Sequence, residues 1–531
     1  MAHRPILAAS ILGLLSTFAR AADPSLKCLA LKNTLQLENT TILDAAYIAA
    51  PANVSTAGSC QSVALVSAAP LCRVYLVINT TATSAVHAEA WLPDTWYGRF
   101  MGLGNGGLGG CINYPDLDYA TSLHFAAIGS DNGHDGQTGL PFLDHPEVIN
   151  DFTFRAIHVE AVIGKQLVQA YYGTPPAKSY FSGCSSGGRQ GTQAALRYPE
   201  DFDGIIAGAP ATDVNRYLGW VGLLGHYIGA TSPDTAADAI TSPKFIPPTL
   251  WSAISAEILR QCDGLDGVYD GIITEPDDCV FNVDALRCGA GQANETETCL
   301  TPVQVEALRN IYTPLRSASG ELLYPRYTPG AEADPFGGVI FGGAFVILAA
   351  DWERYTVLNI TEHDFSNFSL HDIALFDAVN PGGGATWDGD LSAFRARGGK
   401  FLSYHGRRDP LIPSTNSKRM YDLVSSTLGF PPSALDDFYR LFLVPGLGHC
   451  FGGLGATLIG QGQIPGTNFV NDSVHNVVLA LVDWVEGGIA PDTIVGSDGQ
   501  GAERVHCRYP MRSVWDEKAW VCEDDEGRYS L

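Results

Sequence analysis

The stretch Tyr180 to Arg189 reads Tyr-Phe-Ser-Gly-Cys-Ser-Ser-Gly-Gly-Arg, a short apolar run that passes into a Gly-rich turn. Its centre satisfies the pattern G-x-S-x-G, and the following residues, up to Tyr198, have a helical pattern. This context predicts a sharp strand-to-helix turn that presents Ser185 as a nucleophile, because glycines on both sides leave room for the turn. Ser186 is the nearest rival but lacks the symmetric glycines. A plain Gly/Ser turn is the alternative.

A serine nucleophile needs a base and an acid that orients the base, and in α/β-hydrolases the chain order is Ser, Asp or Glu, then His. Asp409 follows the predicted strand 400–404, and His449 follows the predicted strand 441–444 through a Pro-Gly-Leu-Gly loop. Both loops can carry a side chain over the sheet edge, so we predict the triad Ser185, Asp409 and His449. The other candidates are interpreted as helix-surface, loop or tail residues: Asp422, Asp436, His475 and His506.

Such a triad needs an oxyanion hole with two main-chain donors. The N–H of Ser186 is the first, because it follows the nucleophile. The second should come from the Gly-rich segment 102–110, in which Gly104-Asn105-Gly106-Gly107 is the natural candidate and Gly107 the predicted donor. The alternative interpretation is a flexible glycine loop.

Short apolar runs alternate with helical patterns on both sides of this motif, which is typical of a largely parallel sheet with helices on both faces. Predicted strands include 74–78, 88–92, 99–101, 180–182, 204–207, 400–404 and 441–444. The alternation is lost between about 213 and 390. We therefore predict an α/β fold, an α/β-hydrolase fold with a large inserted lid domain: residues 22–212 and 390–531 form the catalytic domain and residues 213–389 the lid.

The first residues predict export. A charged start, an apolar run and small residues near Ala21 indicate a signal peptide over residues 1–21. The apolar run is shorter than the ~20 residues that a membrane span needs, so we expect a secreted, extracellular protein that is not embedded in a membrane. The 12 cysteines of an exported chain are expected to be paired. Candidate N-glycosylation sites are Asn39, Asn53, Asn79, Asn294, Asn359, Asn367 and Asn471.

The formal charge of −25 argues against binding to a phosphate backbone or an anionic membrane surface, so neither nucleic acid nor membrane is an expected partner. No C-x-x-C pair occurs, which disfavours a zinc site. No organic cofactor is predicted.

Cys184 directly precedes the serine and Cys450 directly follows the histidine. Together with the sequences 405–413 and 445–450, this pattern resembles the tannase and feruloyl esterase family over nearly the whole mature chain. The resemblance implies a disulfide between Cys184 and Cys450. It also implies five further pairs: Cys28 with Cys72, Cys60 with Cys111, Cys262 with Cys279, Cys288 with Cys299, and Cys507 with Cys522.

The resemblance also implies a structural Ca²⁺ site in the lid, within residues 262–273. Its expected ligands are three carboxylates and two main-chain carbonyls, which are the hard oxygens that Ca²⁺ prefers: Asp263, Asp266, Asp270, Val268 and Ile272. The spacing is not that of an EF-hand. The plain alternative is a series of Asp-Gly turns with solvated carboxylates.

By this resemblance the chain is expected to be a carboxylic ester hydrolase that releases hydroxycinnamic acids, such as ferulic, p-coumaric and caffeic acid, from plant cell-wall esters. Its partner would be a feruloylated polysaccharide or oligosaccharide. The close alternative is a tannase, which cuts galloyl esters. A non-catalytic esterase-like binding protein is disfavoured, since all three triad residues are present.

Overall fold

The computed structural model describes residues 23–56, 65–67, 69–289, 298–462 and 469–524. The predicted signal peptide therefore lies outside the described residues, as do Cys60 and Asn294.

Nine strands form one mixed sheet. In chain order they are β1 Thr40–Ile48, β2 Leu71–Asn79, β3 Ala85–Pro93, β4 Arg99–Leu103, β5 Phe125–Ser130, β6 Lys178–Cys184, β7 Gly204–Gly208, β8 Lys400–Gly406 and β9 Tyr439–Val444. Their spatial order is β1-β2-β3-β5-β4-β6-β7-β8-β9. Strands β4 to β9 are parallel, and β1 to β3 form an antiparallel extension.

The parallel half of the sheet brings the predicted catalytic loops to one edge. Strand β6 leads directly into Ser185, β8 ends shortly before Asp409, and β9 ends shortly before His449. The carboxyl ends of parallel strands meet at the same edge, which is where α/β proteins bind their ligands. A serine between strand and helix, on a mostly parallel sheet, is the α/β-hydrolase fold that the sequence predicts.

Helices lie on both faces of the sheet and in the segment between β7 and β8. In chain order they are α1 Pro24–Thr34, α2 Tyr114–Ser122, α3 Pro146–Asn150, α4 Ala156–Tyr172, α5 Ser186–Arg197, α6 Val214–Tyr227, α7 Ala237–Thr241, α8 Pro248–Cys262, α9 Pro302–Ile311, α10 Gly337–Phe341, α11 Ile347–Asp351, α12 Leu370–Val379, α13 Ser392–Ala396, α14 Thr415–Leu428, α15 Pro432–Leu435 and α16 Val477–Gly487. Helices α1, α4, α5 and α14 share one apolar layer with the sheet. Helices α2 and α16 share another.

Local chemistry sets several helix boundaries. The side chain of Asn476 accepts hydrogen bonds from the first N–H groups of α16, which satisfies donors that a helix start leaves unpaired. Helix α4 ends at Tyr172 and is capped by Gly173, whose φ of 85° is the left-handed conformation that glycine adopts at no steric cost. The helical pattern after Ser185 corresponds to α5, which begins at Ser186 itself.

Between β7 and β8 the chain leaves the sheet, and this excursion contains the segment predicted as the lid, residues 213–389. It includes α6 to α12 and a hairpin of Leu315–Arg316 with Leu322–Tyr324. Large side chains such as Trp220, Trp352 and Tyr324 are fully buried in an apolar cluster formed mostly by this excursion. The excursion is therefore packed structure, while its function as a lid stays a prediction.

A buried ion-pair cluster joins this lid segment to the loop that carries Asp409. The guanidinium of Arg407 is completely buried, donates to Glu275, and lies 3.1 Å from a carboxylate oxygen of Asp277. The ammonium group of Lys418, on α14, donates to the same Asp277 carboxylate at 2.7 Å. Burial alone would raise the pKa of Asp277, but these two cations hold it well below its usual range.

Five disulfides join described cysteines, and they are the pairs that the resemblance implies: Cys28–Cys72, Cys184–Cys450, Cys262–Cys279, Cys288–Cys299 and Cys507–Cys522. The remaining implied pair includes Cys60, which lies outside the described residues. Three further hairpins complete the fold: Ala52–Val54 with Leu65–Ser67, Thr493–Ser497 with Glu503–Cys507, and Arg512–Trp515 with Trp520–Glu523.

Within the described ranges, no helix is both long enough and apolar enough to cross a membrane.

Candidate active site

Ser185 occupies a strained turn between β6 and α5. Its φ of 63° and ψ of −120° lie outside the regions that ordinary residues prefer. The glycines around it are required: a Cβ on Gly183 would come within 2.8 Å of the main chain of Gly187. The serine is half-buried, and its N–H donates to the carbonyl of Gly208 at 2.9 Å. This is the conformation in which a nucleophilic hydroxyl is held above the sheet edge.

Asp409 is a fully buried carboxylate whose two oxygens are separately engaged. Its Oδ1 accepts from the N–H groups of Leu411 and Ile412 at 2.8 and 2.9 Å. Its Oδ2 lies 2.8 Å from Nδ1 of His449. Burial by itself would raise the pKa of Asp409, but interaction with His449, and then with His405, holds it well below its usual range. The carboxylate is therefore charged and fixed in the position that orients the base.

His405 is a residue whose role sequence reasoning missed. It is completely buried at the end of β8, and its Nε2 lies 2.9 Å from the carbonyl of Ile412 and 3.2 Å from Oδ2 of Asp409. Because a carbonyl only accepts, Nε2 must carry the proton. Its Nδ1 is 2.7 Å from the hydroxyl of Ser417 on α14. His405 thus supports the same carboxylate oxygen of Asp409 that contacts His449.

A disulfide links the segments of the predicted nucleophile and base. Cys184 precedes Ser185 and Cys450 follows His449, and their Cα atoms are 5.9 Å apart across the bond. The base loop is also tied to the acid loop, since the N–H of Arg408 donates to the carbonyl of Leu447 at 2.9 Å. The structure thus brings the three predicted triad residues to one edge of the sheet.

The two predicted oxyanion residues also lie together. The hydroxyl of Ser186 donates to the carbonyl of Gly107 at 2.6 Å. Ser186 is the first residue of α5, and a helix N-terminus presents N–H groups and partial positive charge to an anion. Gly107 has a φ of 60°, which favours glycine. The contact places both residues beside the elbow, while their role as donors stays a prediction.

The loop that carries Gly107 is held by Gln190, one turn into α5. The amide oxygen of Gln190 accepts the N–H of Asn105 at 2.8 Å, and its amide nitrogen donates to Oδ1 of Asn105 and of Asn132, each at 3.1 Å. The amide of Asn105 donates in turn to the carbonyl of Ser130 at 2.7 Å. This buried network was not predicted. It fixes the Gly-rich loop against the helix of the elbow.

Apolar side chains of the lid segment approach this edge. The ring centroid of Phe336 is 6.4 Å from that of His449 and 6.0 Å from that of Phe451. Phe336 is 37% exposed. Leu348 is close to the oxyanion loop, 3.7 Å from where a Cβ on Gly107 would lie. A substrate at the triad would therefore meet an aromatic and an aliphatic surface.

The loop predicted to bind Ca²⁺ is folded on itself by its own carboxylates. Asp266 accepts the N–H of Val268 and Asp270 that of Ile272, both at 3.0 Å, and each of these bonds closes a local turn. Asp263 accepts the N–H of Gly271 at 2.9 Å and so joins the two ends of the loop. In the described part of the chain, no group of three or more His, Cys, Asp or Glu side chains is arranged to hold a metal ion.

The loop nevertheless places several carboxylates close together, and a bound cation would reduce the repulsion between them. Burial and the charges of Asp266 and Asp263 raise the pKa of Asp270, against the opposing effect of the Ile272 N–H and of Arg504. The donors present are carboxylate and carbonyl oxygens, which suit a hard cation. The donor chemistry therefore fits Ca²⁺, and the site stays a prediction.

Comparison with known proteins finds related esterases. The family model for tannase and feruloyl esterase matches residues 72–526. A probable feruloyl esterase B-2 of Aspergillus oryzae is 42% identical over 513 residues, which cover 93% of this chain and 95% of that protein. The crystal structure of feruloyl esterase B from Aspergillus oryzae is similar with a TM-score of 0.89 at 38% identity, covering 94% of this chain and 100% of that chain.

Tannin acyl hydrolase from Aspergillus niger shares the fold, with a TM-score of 0.72 at 21% identity and 94% of both chains covered. Since the family model spans most of the chain and the 42% identical relative is matched over nearly its whole length, the chain belongs to the tannase and feruloyl esterase family and is a carboxylic ester hydrolase.

Proposed function

We propose that this esterase hydrolyses esters of hydroxycinnamic acids, such as ferulic acid, in plant cell-wall polysaccharide. The observation that carries the proposal is the apolar contribution of the lid beside the triad, Phe336 at His449 and Leu348 at Gly107. A methoxyphenol ring fits such a surface, whereas the trihydroxylated ring of a galloyl ester would need more polar partners. The relatives named feruloyl esterase B support the same choice.

The proposed reaction passes through an acyl-enzyme. Ser185 Oγ attacks the ester carbonyl carbon while His449 accepts the hydroxyl proton, and Asp409 stabilises the imidazolium that results. The N–H of Ser186 and a main-chain donor of Gly107 stabilise the negative oxygen of the tetrahedral intermediate. His449 then protonates the leaving alcohol. A water molecule releases the acid from Ser185 by the same steps, with His449 again as the base.

Secretion belongs to the same proposal. An exported chain explains the predicted signal peptide and the five disulfides between described cysteines. All predicted glycosylation sites within the described ranges are exposed, as attachment of a glycan requires: Asn39, Asn53, Asn79, Asn359, Asn367 and Asn471.

We also propose that Ca²⁺ has a structural role in the lid. It would be held by the carboxylates of Asp263, Asp266 and Asp270 with the carbonyls of Val268 and Ile272, and it would neutralise their mutual repulsion. No catalytic step depends on it.

A substrate panel tests the proposed specificity: methyl ferulate, caffeate, p-coumarate, sinapate and gallate, each assayed for kcat/KM. We expect the methyl hydroxycinnamates to be hydrolysed at least about 100-fold better than methyl gallate, because unpaired ring hydroxyls are costly in an apolar pocket. The Ser185→Ala variant is the control and should lose activity by several orders of magnitude while it remains folded. A preference for the gallate would establish the tannase alternative.

A further inference from the structure

A cavity of about 1010 Å³ lies apart from the catalytic edge of the sheet, and none of Ser185, Asp409 and His449 lines it. Its walls come from the lid hairpin, the end of the lid segment, α14, α15 and the residues that follow Cys507. A volume of this size is at the upper end of ordinary ligand sites, roughly 300 to 1,000 Å³. It could hold several linked sugar units.

One wall of the cavity is aromatic. Trp387 lines the cavity and is half-buried, and the guanidinium of Arg419 lies 4.8 Å from its ring centroid. Arg419 is further fixed by a hydrogen bond to Asn416 at 2.9 Å. A tryptophan held in this way offers a rigid surface to the C–H face of a sugar ring, which is how an aromatic side chain supplies contact area at low entropic cost.

Two carboxylates of the cavity wall differ in their surroundings. Asp436 is buried, and Arg508 pairs with its Oδ2 at 2.6 Å, whereas its Oδ1 has no hydrogen-bond partner among the described residues. Because that oxygen is closed to solvent, a ligand in the cavity would not reach it without a shift of the wall, and the carboxylate available to a ligand is that of Asp422. Asp422, also on the wall, is partly buried, and burial raises its pKa to about 6 against the effect of Lys418.

The balance of charge selects among ligands. Three arginines and four carboxylates line the cavity: Arg316, Arg419, Arg508, Glu321, Asp422, Asp436 and Asp524. Because positive and negative groups line the cavity in nearly equal number, neither a polyanion nor a polycation is favoured as its ligand. A neutral ligand with many hydroxyl groups can donate to the carboxylates and accept from the arginines at the same time.

We propose that this cavity is a saccharide-binding site for the neutral polysaccharide chain that bears the scissile ester, separate from the catalytic centre. The inference rests on the cell-wall substrate proposed above. A polymer attached at this second point raises the effective concentration of its ester groups at the triad. Small methyl esters, which have no carbohydrate chain, gain nothing from it.

The test measures binding without turnover. Ser185→Ala protein is titrated calorimetrically with xylohexaose, which carries no ester, and with cellohexaose as the alternative neutral chain. Adding Trp387→Ala, or separately Asp422→Asn, should weaken saccharide binding about tenfold or more, as loss of a central anchor does. The matched control is Tyr97→Ala, which removes an aromatic side chain that is 59% exposed and does not line the cavity. It should leave binding unchanged.

Three outcomes separate the possibilities. If neither oligosaccharide binds, or if both cavity variants bind as tightly as Ser185→Ala alone, the proposed site is wrong. In active protein, the kcat/KM on feruloylated xylan divided by that on methyl ferulate should fall in both variants, and an unchanged ratio also overturns the proposal. Failure to hydrolyse methyl ferulate would instead contradict the proposed esterase specificity. Since Asp422→Asn is nearly isosteric, the test does not depend on the stability of Trp387→Ala.

Discussion

Gln190 touches neither the predicted nucleophile nor its base, yet it carries the hydrogen bonds that hold the oxyanion loop. Changing Gln190 to Ala removes the acceptor of the Asn105 N–H, so the Gly-rich loop that carries Gly107 is no longer held against α5. A displacement of about 1 Å in a donor or a catalytic group lowers the reaction rate roughly 100-fold. We expect kcat to fall about 10- to 100-fold with a smaller change in KM, measured by steady-state kinetics on methyl ferulate.

Gln193 provides the matched control for this variant. It is buried on the same helix, and its amide nitrogen has no hydrogen-bond partner among the described residues. Gln193→Ala should therefore affect stability without lowering kcat, and Gln190→Glu, which keeps the acceptor for Asn105, should recover part of the rate. Equal losses of kcat in the Gln190 and Gln193 variants would mean that Gln190 has only a structural role.

Sequence and structure differ in what they reveal about single residues. Ser185 and its partners could be predicted from local context and chain order, because a nucleophile elbow has a short sequence pattern. Gln190 and His405 could not, because a buried glutamine or histidine has no pattern and its function depends on contacts that only the fold creates. His405 lies within residues 405–413, which contributed to the family resemblance, but the only feature that pointed to a role for it was its position at the end of a strand.

At the scale of elements, the Cys184–Cys450 disulfide joins the elbow to the loop of the base. Changing both cysteines to Ala leaves Ser185 and His449 chemically intact but removes the link between their segments. We expect a fall in kcat of about 100-fold with a smaller change in KM, since the distance between catalytic groups is no longer fixed. Steady-state kinetics normalised to the folded fraction measures the effect.

A double variant of Cys507 and Cys522 is the comparison, because that disulfide also closes a loop but adjoins no triad residue. It should lose thermal stability while each folded molecule retains its rate. A Cys184/Cys450 variant with full kcat would show that the disulfide has only a stabilising role.

The loop from Asp263 to Ile272 is the second element with a specific expectation. Removal of Ca²⁺ with a chelator should lower the melting temperature more than it lowers kcat, because a ligand that binds the native state stabilises it by mass action. Calorimetry with and without EDTA, followed by addition of Ca²⁺ or Mg²⁺, measures the effect, and Asp270→Asn should reduce the response. Elemental analysis that finds no calcium, together with an unchanged melting temperature, would leave the loop a plain turn.

Some elements were not predictable from local patterns. In β1, the register of pairing with β2 shifts between Ile42 and Asp44, which interrupts the alternation of inward and outward side chains. All residues of β5 are buried, so this strand shows no alternation of apolar and polar residues. A helical pattern of apolar residues starts at Val474, yet helix α16 begins only at Val477, because Asn476 caps it. His475 therefore precedes the helix, in a turn. In each case a tertiary contact or a cap decides the boundary that periodicity alone leaves open.

At the scale of the whole molecule, buried carboxyl groups make stability depend on pH. Burial, with the nearby Asp372, raises the pKa of Glu353 to about 8, and burial raises that of Asp213 to about 7 despite Arg216 and Arg419. In an unfolded chain such groups titrate near pH 4. Between about pH 4 and 8 the unfolded chain therefore binds fewer protons than the folded one, and the free energy of unfolding falls as pH rises.

Glu353→Gln tests this dependence, since an amide stays neutral at every pH. The melting temperature of the variant should exceed that of the parent by on the order of 3 °C at pH 8, and the two should differ little at pH 4. Thermal unfolding followed by circular dichroism at pH 4, 6 and 8 provides the measurement. The exposed Glu38, changed to Gln, is the control and should give the same difference at each pH. A Glu353→Gln effect that does not vary with pH contradicts the explanation.

The buried cluster of Arg407, Lys418, Glu275 and Asp277 has a consequence for how such enzymes can be recombined. A chimera that received the lid segment of a relative without matching carboxylates would leave a fully buried guanidinium without counter-charge, and breaking a buried ion pair on one side is strongly destabilising. Arg407 also stands two positions before Asp409. The lid segment and the loop that carries Asp409 should therefore be exchanged together. When family members are shuffled, the crossover points should be chosen so that both parts come from the same parent.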